Sequence, residues 1–198
     1  MNLFELLVGG ALGGLGGAAV GQIAAALISR FWLLQPQAAY LSAGIRIGVA
    51  LQAALLYGLI AFGLSRRWRP FVLGLGVAFF VMLGIDAGLS VALPRMKISA
   101  DYALPYAYIA AMWTAVFCVG WACAGDRRCL SGFAGLAGSI CIEYPGNFLI
   151  RLVPGLMFWT GSPMGFMAAP AILADGMLAG LGLGLGLWIV VGREHEKA

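Results

Sequence analysis

Charge is what this sequence has least of. Only 10% of its 198 residues are Asp, Glu, Lys or Arg, against about 25% in an average soluble domain. Apolar residues make up 62% of the chain and mean hydropathy is +0.96. A soluble globule of this size would have too few charged groups to coat its surface. Disorder, a nucleic-acid-binding domain and an ordinary soluble enzyme are therefore excluded, and bilayer solvent is implied. Histidine is almost missing: His195 stands alone in the polar tail REHEKA. That excludes haem held by two histidines and argues against serine–histidine catalysis. There is no HExxH for a helical zinc site and no GxxxxGK[ST] for a P-loop. The four cysteines, Cys118, Cys123, Cys129 and Cys141, form no CxxC pair. They read as small buried hydrophobes rather than metal ligands or a disulfide framework. No metal, no cofactor and no catalytic residue is assigned.

What is present is a succession of apolar runs, each near the length of about 20 residues that a helix needs to cross a bilayer. They are Leu6 to Ile28, Tyr40 to Leu64, Phe71 to Leu93, Leu104 to Ala124, Leu130 to about Val153, and about Gly165 to Val191. The connections SRRWRP, PRMKISAD and GDRRC are too short to separate domains. The N-terminus lacks a positive n-region, so the first run reads as a retained span and not a signal peptide. The expected fold is all-α: one polytopic membrane helix bundle over residues 1–198, with about six transmembrane helices. With the N-terminus inside, the inner side carries Arg66, Arg67, Arg69, Arg127, Arg128, Arg193 and Lys197, and the outer side only Arg30, Arg95 and Lys97. The positive-inside rule then places both termini in the cytoplasm. The formal charge of +4 is read as topology, and no nucleic-acid partner is expected. The expected setting is a bacterial cytoplasmic (inner) membrane. Residues 146–170, broken by Pro154, Pro163 and Pro170, read either as a re-entrant segment or as a seventh span.

Thirty glycines are about twice the usual share of roughly 7%. Gly9, Gly13, Gly17 and Gly21 recur every fourth residue, with Gly10, Gly14 and Ala18 in a second row, and Gly176, Gly180 and Gly184 repeat the pattern in the last run. Residues four apart share one helix face, and a glycine face lets helix backbones approach closely. The spacing specifies close packing, either on a neighbouring span or, through the Gly9/Gly13/Gly17/Gly21 face, on a protein partner or a second copy. GLGLGLG belongs to this pattern and not to a dinucleotide loop.

Ionisable groups within spans are costly and mark function by default. Five occur: Arg46, Asp86, Glu143, Arg151 and Asp175. At 1.5 Å per residue Arg46 and Asp86 lie about 9 and 10 Å from the outer ends of their spans, and Glu143 and Asp175 about 15 Å. Ser139, Glu143, Asn147 and Arg151 are spaced four apart, hence along one stripe, and Pro145-Gly146 is expected to kink that helix. The expectation is convergence, because each charge seeks a partner out of lipid. The structural form of it is an ion-pair network such as Arg46 with Asp86. The functional form is an outward-facing binding pocket lined by Arg46, Asp86, Glu143, Asn147, Arg151 and Asp175. Tyr102, Tyr106 and Tyr108 read either as walls of that pocket or as an interfacial belt.

Chain length, six spans and the outer polar cluster resemble the substrate-binding membrane subunits of energy-coupling-factor vitamin transporters. The resemblance is one of architecture, without a shared motif, and it implies a solute-binding subunit whose small-residue first span docks on a partner. The leading expectation is accordingly a membrane transport or solute-binding subunit. The alternatives are a non-catalytic subunit of a larger membrane complex, and a membrane enzyme that uses carboxylates on a lipid-like substrate.

Overall fold

A computed structural model of the protein describes residues 2–33, 38–99, 102–123, 128–151 and 169–191. These form six helices and, among the described residues, no strand: α1 Leu3–Leu33, α2 Ala38–Ser65, α3 Trp68–Arg95, α4 Ala103–Cys123, α5 Arg128–Arg151 and α6 Ala169–Val191. Helices follow from the solvent, since in lipid every backbone N–H must find its acceptor within the segment. Five of them contain stretches long and apolar enough to cross a membrane: Leu3–Ile28, Ala43–Ser65, Trp68–Arg95, Ala103–Cys123 and Ile172–Val191. The exception is α5, which is too polar to qualify by itself and is held between α4 and α6.

The helix ends have local causes. The α2–α3 turn is made by Arg66, which adopts the left-handed region (φ 53°), and by extended Arg67. Ser65 Oγ donates to Ala61 O at 2.7 Å and accepts the Arg67 N–H at 3.2 Å. Pro70 lies in the first turn of α3, where a backbone N–H would have no helical acceptor. At the other end of α3, Lys97 is left-handed (φ 59°). Ile98 N–H donates to Leu93 O at 3.0 Å and Lys97 N–H to Pro94 O at 3.1 Å, which is the Schellman pattern. The helix α5 continues as one element from Arg128 to Arg151, with Pro145 inside it.

The helices close into a ring. Each packs on its sequence neighbours from α1 to α5, α6 packs on α5 and α1, and α2 meets α4 across the middle. Glycine contacts set the directions. Gly9, Gly13, Gly17 and Gly21 face Gly63, Leu59, Leu56 and Gln52 of α2, while Gly10 and Gly14 face Gly180 and Gly176 of α6. Rising numbers on α1 meet falling numbers on both partners, so α1 is antiparallel to each. Gly182 meets Gly138 and Gly186 meets Ala134, which makes α5 antiparallel to α6 as well. Hence Arg151 and Ala169 lie at the same end of the bundle. Most of the stretch 146–170, which was expected either to re-enter or to cross, lies outside the described residues.

Both glycine rows of α1 are therefore filled by this chain's own helices. A Cβ at Gly17 would stand 2.7 Å from Leu56 Cα and one at Gly14 2.6 Å from Gly176 C, well inside the 3.5–4.0 Å of ordinary carbon contact. The expectation that the Gly9/Gly13/Gly17/Gly21 face docks a second chain is corrected accordingly, because α2 occupies it. The core inside the ring combines alanines with Leu6, Tyr57, Ile60, Met82, Val116, Val119, Leu183 and Leu187. On α3 the buried positions Gly74, Ala78, Met82 and Asp86 recur every fourth residue, so Asp86 continues an apolar stripe. Outward, Phe4, Leu12, Ile23, Val72, Phe80, Phe133 and Phe148 are exposed, as a lipid-facing surface requires.

Candidate functional site

The intramembrane polar residues form two groups. The first joins α2 to α3. Arg46 makes an ion pair with Asp86 and donates through Nη1 to Ser90 Oγ at 2.7 Å. Asp86 and Ser90 are four apart on α3 and so present one face to Arg46. The Asp86 side chain is 5% exposed and that of Arg46 31% exposed, so the guanidinium reaches the pair from the rim. One carboxylate oxygen, Asp86 Oδ1, is buried without a partner. The ion pair and the Arg46–Ser90 hydrogen bond clamp α2 to α3.

The second group lies inside the ring. On α5 the buried residues Ser131, Gly135, Ser139 and Glu143 recur every fourth position, which turns one polar stripe inward while Tyr144, Phe148 and Leu149 face outward. Ser139 Oγ donates to Glu143 Oε2 at 3.3 Å. Glu143 is within electrostatic range of Asp175 on α6. Tyr57 of α2 and Tyr108 of α4 are within range of both carboxylates, and Tyr57 is also within range of Tyr108. Four helices thus deliver two carboxylates and two phenols to one region of the core.

Arg46 and Tyr57 stand on the same helix about 16 Å apart along its axis, and the hydrogen bonds of the Arg46–Asp86 pair and of Glu143 go to different serines, Ser90 and Ser139. Depth within each span can be counted along the chain, but which walls of the ring face each other is decided by packing. Asn147 and Arg151 follow Glu143 by one and two turns of α5, and their side chains lie outside the described ones. The tyrosines at the start of α4 also part company. Tyr102 and Tyr106 are exposed and stack with ring centroids 6.4 Å apart, whereas Tyr108 packs against the core. Tyr57 was not singled out by sequence reading, since it sits in the apolar run LLYGLI, where nothing marks a hydroxyl as more than core.

Chemically, two carboxylates accept hydrogen bonds and phenols both donate and accept. Such a group can hold a proton, or a solute that brings N–H or O–H donors. Among the described residues no cluster of three or more His, Cys, Asp or Glu is placed to hold a metal ion. The chain matches no family model, no curated protein and no solved structure, so the architectural resemblance to vitamin-transporter subunits finds no structural counterpart.

Proposed function

We propose that this integral membrane protein is a transport or solute-binding subunit whose binding site is the carboxylate–tyrosine group within the ring. The observation that carries the reading is the gathering of Glu143, Asp175, Tyr57 and Tyr108 from α5, α6, α2 and α4 in a bundle of apolar spans. Stability alone does not ask for this: apolar side chains of similar volume would fill the space without the desolvation cost of carboxylates. The Arg46–Asp86 clamp, by contrast, is a structural tie between α2 and α3. The matching ligand is a small solute rich in hydrogen-bond donors. Six crossings with both termini in the cytoplasm of a bacterial inner membrane complete the proposal, supported by the alternating helix directions and by Arg66, Arg67 and Arg69 at one end. The assembly-subunit reading is weakened because α2 and α6 cover the glycine rows of α1. The test is mass spectrometry of small molecules retained by protein purified in mild detergent. Wild type should carry a stoichiometric solute that is lost in Glu143→Gln and Asp175→Asn and kept in Tyr102→Phe. Equal retention in all four proteins, or none in wild type, defeats the proposal.

A further inference from the structure

At the end of the bundle that carries the N-terminus and the α2–α3 turn, two cavities share part of their walls. One is a polar pocket of 270 Å³ among Glu5, Ser65, Arg66, Arg67 and Cys123. The other is an apolar groove of 580 Å³ on the outer surface between α1 and α2, lined by Val8, Leu12, Gly13, Gly16, Leu59 and Phe62. Glu5, Gly63 and Arg66 line both, so charged side chains stand at one end of the apolar groove. We propose that these adjoining cavities bind one phospholipid of the phosphatidylethanolamine class, with the headgroup at Glu5, Arg66 and Arg67 and an acyl chain in the groove.

Three features support that occupant. The first is length. From Glu5 to Gly16 the groove follows α1 for about 16 Å, which is half of the roughly 30 Å hydrocarbon core and so the depth of one leaflet. The second is charge. The pocket holds two guanidinium groups and one carboxylate, and none of Glu5, Arg66 and Arg67 forms an ion pair with another described residue. A phosphate diester matches arginine, whose planar fork suits phosphate oxygens. A primary ammonium matches Glu5, to which it donates through N–H. An anionic glycerol headgroup would leave Glu5 facing negative charge, and a trimethylammonium headgroup has no N–H to donate. The third is the groove floor. A Cβ at Gly16 would meet nothing within 4 Å, so this glycine, unlike Gly9, Gly13 and Gly17, does not serve helix packing. It leaves a space that an acyl chain can fill.

The experiment is native mass spectrometry of the full-length protein in detergent, with dioleoyl phosphatidylethanolamine, phosphatidylglycerol and phosphatidylcholine added singly at equal concentration. One phosphatidylethanolamine should bind, at least five-fold more than either of the others. Gly16→Leu fills the groove without touching the chain's own packing, so it should lower that occupancy several-fold while the melting temperature of the lipid-free protein stays unchanged. Glu5→Gln should erase the preference for phosphatidylethanolamine over phosphatidylcholine. Arg66→Gln with Arg67→Gln should weaken all three lipids. Equal binding of phosphatidylcholine, stronger binding of phosphatidylglycerol, or full occupancy in Gly16→Leu would each overturn the assignment, as would a protein dimer that Gly16→Leu dissociates.

Discussion

Glycine to alanine should have opposite consequences at two positions of this bundle. At Gly14 a Cβ would overlap Gly176 O and stand 2.6 Å from Gly176 C and 3.2 Å from Met177 N. All three are backbone atoms, which cannot rotate away. Restoring ordinary contact requires α1 and α6 to separate by about 1 Å, and dispersion across the neighbouring Gly10–Gly180 contact weakens with it. Overpacking of this kind costs typically 1–3 kcal/mol, and the upper half of that range applies because the obstacle is rigid. At Gly84 a Cβ would meet nothing within 4 Å. There the only effect is helix propensity, about 1 kcal/mol in favour of alanine in water, and less in a bilayer where the unfolded reference is itself helical. Gly14→Ala should thus lose about 2–3 kcal/mol and Gly84→Ala should lose nothing. The assay is reversible unfolding in mixed micelles of mild detergent and SDS, followed by tryptophan fluorescence. A Gly14→Ala protein as stable as Gly84→Ala would refute the claim that α1 and α6 meet backbone to backbone.

Two further outcomes are expected. Arg46→Gln strands the buried Asp86 carboxylate and should cost about 3 kcal/mol, the low end for one partner of a buried pair because Arg46 is 31% exposed. Arg46→Met with Asp86→Leu should recover most of that loss in the same unfolding assay, and no recovery would mean that the clamp does more than tie α2 to α3. Cys129 is exposed at the start of α5, the end that also carries the α2–α3 turn. With Cys118→Ala, Cys123→Ala and Cys141→Ala in place, a membrane-impermeant maleimide should label Cys129 in inside-out vesicles and not in intact cells. The reverse pattern would invert the proposed orientation.

Helix positions were largely legible along the chain because lipid leaves the backbone little choice, and the apolar runs end within a few residues of the helices they predict. The run Leu130 to Val153 is matched by a helix, Arg128–Arg151, but Ser131, Ser139 and Glu143 lower its apolarity, so it is not among the five described helices long and apolar enough to cross by themselves. The two glycine rows of α1 announced close packing, but a glycine face is without shape and so names no partner. Only the folded ring assigns one row to α2 and the other to α6. Arg46 with Asp86 was legible as a pair because opposite charges at like depth on consecutive helices have few other places to go. The carboxylate–tyrosine group was half legible: Glu143 and Asp175 betray themselves by charge, whereas a phenol amid leucines looks like any other core ring.

The contact between α1 and α6 joins the first of the described helices to the sixth. During synthesis α1 is therefore in the membrane, its Gly10/Gly14 row uncovered, throughout the time in which α2 to α5 are made. That row offers bare backbone and no apolar side chain for a wrong neighbour to seize, so waiting is cheap. The circle is complete only when Gly176 and Gly180 arrive, and a chain that stalls before Ala169 is left open along one seam. Among the described helices this seam is thus the last contact to form, and until it does the Gly10/Gly14 row is open to lipid.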